Sequence, residues 1–150
     1  MIIIFMILYM AFPSWISAPG SEGTIYRMYA FFLFAGPVDN PDAGTWAFWP
    51  YVLPGAFAAV VIIVSIIEIF SYKKRMTQVK LGALNSLLLG AVLISTVLIA
   101  TNAREVWTSE NSGNFSIGIF FPALAMFCNI FANYFIRKDE KLVRSMDRIR

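Results

Sequence analysis

Glu68, Asn85, Asn129 and Asn133 are polar side chains inside otherwise apolar stretches. They are the residues here that could do chemistry in lipid. A carboxylate held in hydrocarbon can relay a proton or coordinate an ion. An asparagine there can hydrogen-bond across to another helix. Glu68 has no second carboxylate in an apolar run to share a proton with, and the chain has no histidine. The pattern therefore favours a structural clamp over proton or ion chemistry. A variant of the clamp has Glu68 reaching along its aliphatic stem to Lys73 and Arg75. Nowhere does the sequence show a nucleophile–base pair, a glycine-rich phosphate loop or metal-ligand spacing.

The elements that position these residues are apolar runs. Val52–Tyr72 holds one charge, Glu68, and Leu81–Ala103 holds none. Each run exceeds the ~20 residues that cross about 30 Å of hydrocarbon as a helix. Between them lies a basic break with Lys73, Lys74, Arg75 and Lys80. Lysine and arginine are retained on the cytoplasmic side, so the two runs read as a transmembrane hairpin with its turn inside. Glu68 precedes Lys73 by five residues, about 7 Å along a helix. Asn85 follows Lys80 by five, and Asn129 and Asn133 precede Arg137 by eight and four. All four polar residues are expected in the cytoplasmic third of a helix bundle.

Composition agrees with this reading. The 150 residues are 59% hydrophobic and 14% charged, which places the chain in the polytopic membrane class. Ten of the twelve Lys and Arg fall in the 72–80 turn and the 137–150 tail. The segments expected to face outward carry Arg27 and Arg104 against five acids. The net charge of +3 thus points to an anionic inner leaflet as neighbour and away from nucleic acid. The single cysteine, Cys128, excludes an intrachain disulfide. The lack of histidine removes the usual ligand for haem, zinc or copper and the commonest general base. No cofactor is expected.

In chain order, Met1–Phe12 is a short apolar run closed by Pro13. It reads either as the core of a signal peptide, with Ile16-Ser17-Ala18 as a loose cleavage site, or as part of a first span whose beginning lies upstream. The missing basic lead favours the span, placed at about residues 1–15. An outward loop, 16–51, is rich in Gly and Pro. Within it Thr24–Ala35 alternates like one short strand lying on the membrane face. Trp46, Trp49 and Tyr51 suit an aromatic belt before the second span. Spans follow at about 52–72, 80–102 and 117–136, with a polar outward loop at Ala103–Asn114. The tail, 137–150, repeats Leu142, Val143, Met146 and Ile149 at helical spacing, as in an amphipathic helix on the inner surface. The expected fold is an all-α membrane protein. It is a bundle of four transmembrane helices with both ends inside and a small β element in the outward loops.

Gly82, Ser86 and Gly90 recur every four residues on the third span and would let a neighbouring helix approach closely, within this chain's own bundle. Lys73, Lys74, Arg75, Lys80, Arg137, Lys138, Arg144 and Arg148 form the basic inner face. That face is suited to docking a partner or to anionic lipid headgroups.

The tail RKDEKLVRSMDRIR, Arg137 to Arg150, resembles the terminal signature of a bacterial membrane-protein family, domain of unknown function 4293. The basic turn Tyr72–Lys80 followed by Leu81–Asn85 is similar to the same family, as is the four-span layout with a long first outward loop. The resemblance covers spans two to four and the tail, and is loose over residues 13–50. It implies architecture and a bacterial inner-membrane location, and brings no activity with it. The role expected is a non-catalytic accessory or structural subunit among other membrane-protein subunits in the bilayer. A small transporter or channel component using Glu68 is the alternative.

Overall fold

A computed structural model describes residues 1–17, 23–37, 39, 43–71, 75–107 and 113–147. The side chains of 75, 106, 107, 140 and 144–147 lie outside the description. The chain is mostly helical. Helices α1 (Ile2–Ala11), α2 (Val52–Phe70), α3 (Arg75–Trp107) and α4 (Phe120–Asp147) surround a common core. One five-stranded antiparallel sheet sits at the end of the helices away from the α2–α3 turn. Val52–Phe70, Met76–Glu105 and Ile117–Val143 are each long and apolar enough to cross a membrane.

α1 is shorter than the span expected at 1–15. The amide of Phe12 closes the last turn on the Leu8 carbonyl at 3.0 Å, and Pro13 has no N–H with which to continue. Ser14 then donates both its amide and its hydroxyl to the Met28 carbonyl, at 2.7 and 3.1 Å. The amides of Ser116 and Gly118 reach back to the carbonyls of Ser14 and Pro13. The chain therefore leaves α1 directly into the sheet, held between a strand and the start of α4. Gly118 stands where a Cβ would overlap the Phe12 and Pro13 backbone.

The sheet contains β1 (Trp15–Ser17), β2 (Thr24–Met28), β3 (Leu33–Pro37), β4 (Thr45–Ala47) and β5 (Gly113–Phe115), in the order β4-β3-β2-β1-β5. The single strand expected over Thr24–Ala35 is instead a hairpin. Thr24 pairs with Pro37 and Met28 with Leu33, and the amide of Tyr29 donates to the Phe32 carbonyl across the tip. Two antiparallel strands satisfy backbone groups that one extended strand would leave open. β5 joins residues 113–115 to β1 far back in sequence, Trp15 facing Phe115.

Two apolar clusters hold the parts together. Met6, Tyr9, Ala58, Val61, Leu89, Val92 and Ala125 fill the space among the four helices, with Ala30 from the hairpin tip. Trp15, Met28, Leu33 and Tyr51 pack on Ile99, Ala100 and Ala103, seating the sheet on α3. Gly55 admits the hairpin tip to the first turn of α2, where a Cβ would meet Phe31 and the Ala30 carbonyl. Nearby Pro54 needs no N–H in that turn.

Both long helices outrun the expected spans. α3 continues past Asn102 to Trp107. α4 runs unbroken through the Ile136–Arg137 boundary to Asp147, where a separate tail helix was expected. No Gly or Pro interrupts residues 123–147, so nothing in the backbone stops the helix where the side chains turn polar.

Candidate functional site: a polar seam between the helices

The seam is built from α3 outward. Asn85 is wholly buried on α3 and donates from Nδ2 to the Ser65 hydroxyl of α2 at 2.9 Å. Asn129 is wholly buried on α4. Its Nδ2 donates to the Gly82 carbonyl and to the Ser86 hydroxyl, each at 2.8 Å. The Gly82 carbonyl has a lone pair to spare beyond its helical bond, which is how α4 can take it.

Asn133, one turn along from Asn129, lies across Gly82; a Cβ on Gly82 would overlap its amide group. The close approach that Gly82 and Ser86 promised is therefore made inside the bundle, between α3 and α4. Gly90 does not share it. A Cβ there would meet nothing within 4 Å. The part of the stripe that meets α4 is Gly82 and Ser86. The Oδ1 atoms of Asn85, Asn129 and Asn133 are buried with no hydrogen-bond partner among the described residues.

A further bond ties α1 to α3. Tyr9 and Thr96, both wholly buried, meet oxygen to oxygen at 2.6 Å. Thr96 places its one hydroxyl proton on the Val92 carbonyl at 2.7 Å, so Tyr9 is the donor. Ser65, Tyr9 and Thr96 escaped the sequence reading. All three are polar side chains inside apolar runs, and that was the available signal.

Glu68 stands apart from the asparagines. It is half-buried on α2, one turn beyond Ser65, and lines a cavity of about 480 Å³ with Met1–Ile3, Ser65, Ile69, Gln78, Cys128, Phe131 and Ala132. The bond that α3 makes to this residue goes to its backbone: Gln78 Nε2 donates to the Glu68 carbonyl at 3.3 Å. The expected four-residue cluster is thus resolved into two asparagine clamps and one carboxylate beside a mostly apolar cavity. Ser65, which lines that cavity with Glu68, accepts from Asn85.

Of the basic face, Lys80 on α3 and Arg137 and Lys138 on α4 are exposed. Arg75 and Arg144 belong to α3 and α4 as backbone, while Lys73, Lys74 and Arg148 lie outside the described residues. Among the described residues no three of His, Cys, Asp and Glu come together as a metal site.

At the opposite end, Trp46, Phe48 and Trp49 are exposed just before α2. The Trp46 ring lies 4.7 Å from those of Phe32 and Phe34.

These features define a class: a mostly helical chain with three membrane-length apolar helices, joined by side-chain hydrogen bonds and capped by a small antiparallel sheet. The chain belongs to the family described as Domain of unknown function (DUF4293), whose model matches residues 1–149. No curated protein matches it.

Proposed function

We propose that the protein is a four-span, non-catalytic membrane subunit that stabilises or docks a larger membrane assembly. The observation that carries this reading is how the buried polar side chains are spent. Asn85, Asn129 and Tyr9 all give their protons to neighbouring helices, and so serve to fix helix positions. Such a bundle is a scaffold with large apolar faces on α2 and α4 left outward. Those faces suit lipid and neighbouring subunits alike.

The four-span reading draws support from the depth of α1. Met1–Ile3 lie level with Glu68, two residues before the end of α2 at the turn, and Tyr9 reaches Thr96 toward the sheet end. α1 therefore runs antiparallel to α2 through the apolar layer. With Lys80 and Arg137 at the same end of the helices, both ends face the cytoplasm, in the inner membrane of a bacterium. The basic residues there suit a partner's acidic surface or anionic lipid.

Purification of the tagged full chain from its native membrane in mild detergent, followed by mass spectrometry, tests the role. A larger protein at fixed stoichiometry is the expected result. A pure homo-oligomer would overturn it and favour transport. The cavity beside Glu68 is the observation behind that second reading, since a carboxylate lining a cavity at membrane depth can pass an ion. If Glu68→Gln kept thermal stability but abolished ion flux into proteoliposomes, transport would replace the scaffold reading.

A further inference from the structure

On the far side of the seam from Glu68, α3 and α4 enclose a second groove. It has a volume of about 370 Å³ and is lined by Ala83, Ser86, Ile130, Asn133, Tyr134 and Arg137. We propose that this groove holds the phosphate of a glycerophospholipid. The proposal rests on α4 crossing the bilayer; its failure would leave the co-purification result untouched.

Four observations converge. First, Ile130, Asn133, Tyr134 and Arg137 are spaced three and four apart, so they share one face of α4. Second, the polar groups on that face can donate: a guanidinium, a phenol and an amide, joined by Ser86 from α3. Ser86 Oγ accepts from Asn129 and still has its own proton to donate. A set of donors around one cation calls for an anion with several oxygens, and a phosphate diester fits. Among the described residues, those lining the groove include no carboxylate. Asp139 follows Arg137 by two residues, about 200° around the helix, and so belongs to another face.

Third, the depth is right for a lipid phosphate. Arg137 is the first charge after the apolar stretch 117–136, at the edge of the hydrocarbon. Fourth, the surface running from the groove toward the membrane centre is apolar and uncovered. Phe127 is 61% exposed and Ile130 47%, which gives an acyl chain a track and distinguishes a lipid from free phosphate. Gly82 has a part in this as well. Its missing Cβ lets Asn133 lie over α3, at the wall of the groove.

The test is native mass spectrometry of the full chain in detergent. It is titrated with dioleoyl phosphatidylglycerol, with dioleoylglycerol as the same chains without phosphate, and with inorganic phosphate as competitor. The wild-type chain is expected to retain phosphatidylglycerol in preference to dioleoylglycerol, with inorganic phosphate not displacing it. Arg137→Gln should weaken retention about tenfold, the loss of one charge-assisted contact. Tyr134→Glu, which sets a carboxylate in the groove, should weaken it at least as much. Both positions are exposed, so neither change removes a buried contact. Arg27→Gln, on β2 at the other end of the molecule, should leave retention as in the wild type. Wild-type retention in Arg137→Gln and Tyr134→Glu would overturn the proposal. So would a loss in Arg27→Gln equal to that in Arg137→Gln, which would mean diffuse charge attraction, or displacement by inorganic phosphate, which would mean a soluble anion.

Discussion

The two ends of the helices are held together by opposite means. Toward the α2–α3 turn, α3 is joined to its neighbours by amide and hydroxyl groups: Asn85 to Ser65, and Asn129 to Gly82 and Ser86. Toward the sheet, contact is made by bulk. Trp15, Met28 and Leu33 press on Ile99, Ala100 and Ala103, with almost none of their surface left exposed. The difference follows from the surroundings each end must satisfy. In hydrocarbon, burying an apolar side chain against a helix gains little over leaving it in lipid, so hydrogen bonds and close packing decide which helices meet. On the membrane reading proposed above, the sheet stands outside the hydrocarbon and has water to exclude, and there burial itself stabilises.

That contrast predicts a ranking of damage. Trp15→Ala should be the most harmful single change, costing about 3–5 kcal/mol as a large buried aromatic is removed. Chemical unfolding of the full chain in detergent, followed by circular dichroism, measures it. A cost no larger than that of the asparagine variants would mean that the sheet end is also governed by polar contacts. Gly82→Val should come next, at about 1–3 kcal/mol. The added atoms displace Asn133 and push α4 off α3. The same assay reads it, and helix content should persist while thermal stability falls.

How much of this was legible in the residues differs between the same two ends. α2, α3 and α4 stand out because long apolar runs without breakers have few other ways to satisfy their backbone in lipid. Asn85 and Asn129 stand out because polar atoms in such runs need partners. Which partners could not be read, since that depends on helix rotation: Asn85 turned to Ser65 rather than to Glu68. The sheet was largely hidden. β1, β4 and β5 are three residues each, too short to show a period. The turn at Tyr29–Phe32 contains no Gly or Pro, so the hairpin looked like one strand. The pairing of β1 with β5 joins residues about a hundred positions apart, and no local pattern announces it.

The hydrogen bonds themselves should prove modest. Side-chain bonds between membrane helices average about 0.6 kcal/mol in double-mutant cycles, because the separated helices find other partners. Asn129→Ala, which loses two bonds, should cost about 1–2 kcal/mol on that scale. A cycle of Asn85→Ala with Ser65→Ala should return a coupling of about 0.6 kcal/mol. Thermal unfolding of the four chains in one detergent checks it. A coupling of zero would mean that Asn85 holds its place by shape alone.

Gly90→Ala gives the smallest effect and the sharpest contrast, because it repeats the Gly82 substitution's logic two turns along the same helix. At Gly82 an added methyl group has no room. At Gly90 it meets open space, so only the backbone term remains. Alanine is favoured over glycine in a helix interior by about 0.5–1 kcal/mol, and the unfolded chain gives up conformational freedom as well. Gly90→Ala should therefore leave stability unchanged or raise it by up to that amount, while Gly82→Ala lowers it. Paired thermal scans of the two variants read the signs directly. A loss at Gly90 equal to that at Gly82 would mean that a helix from outside the chain packs there, turning the far end of the stripe into a contact between subunits.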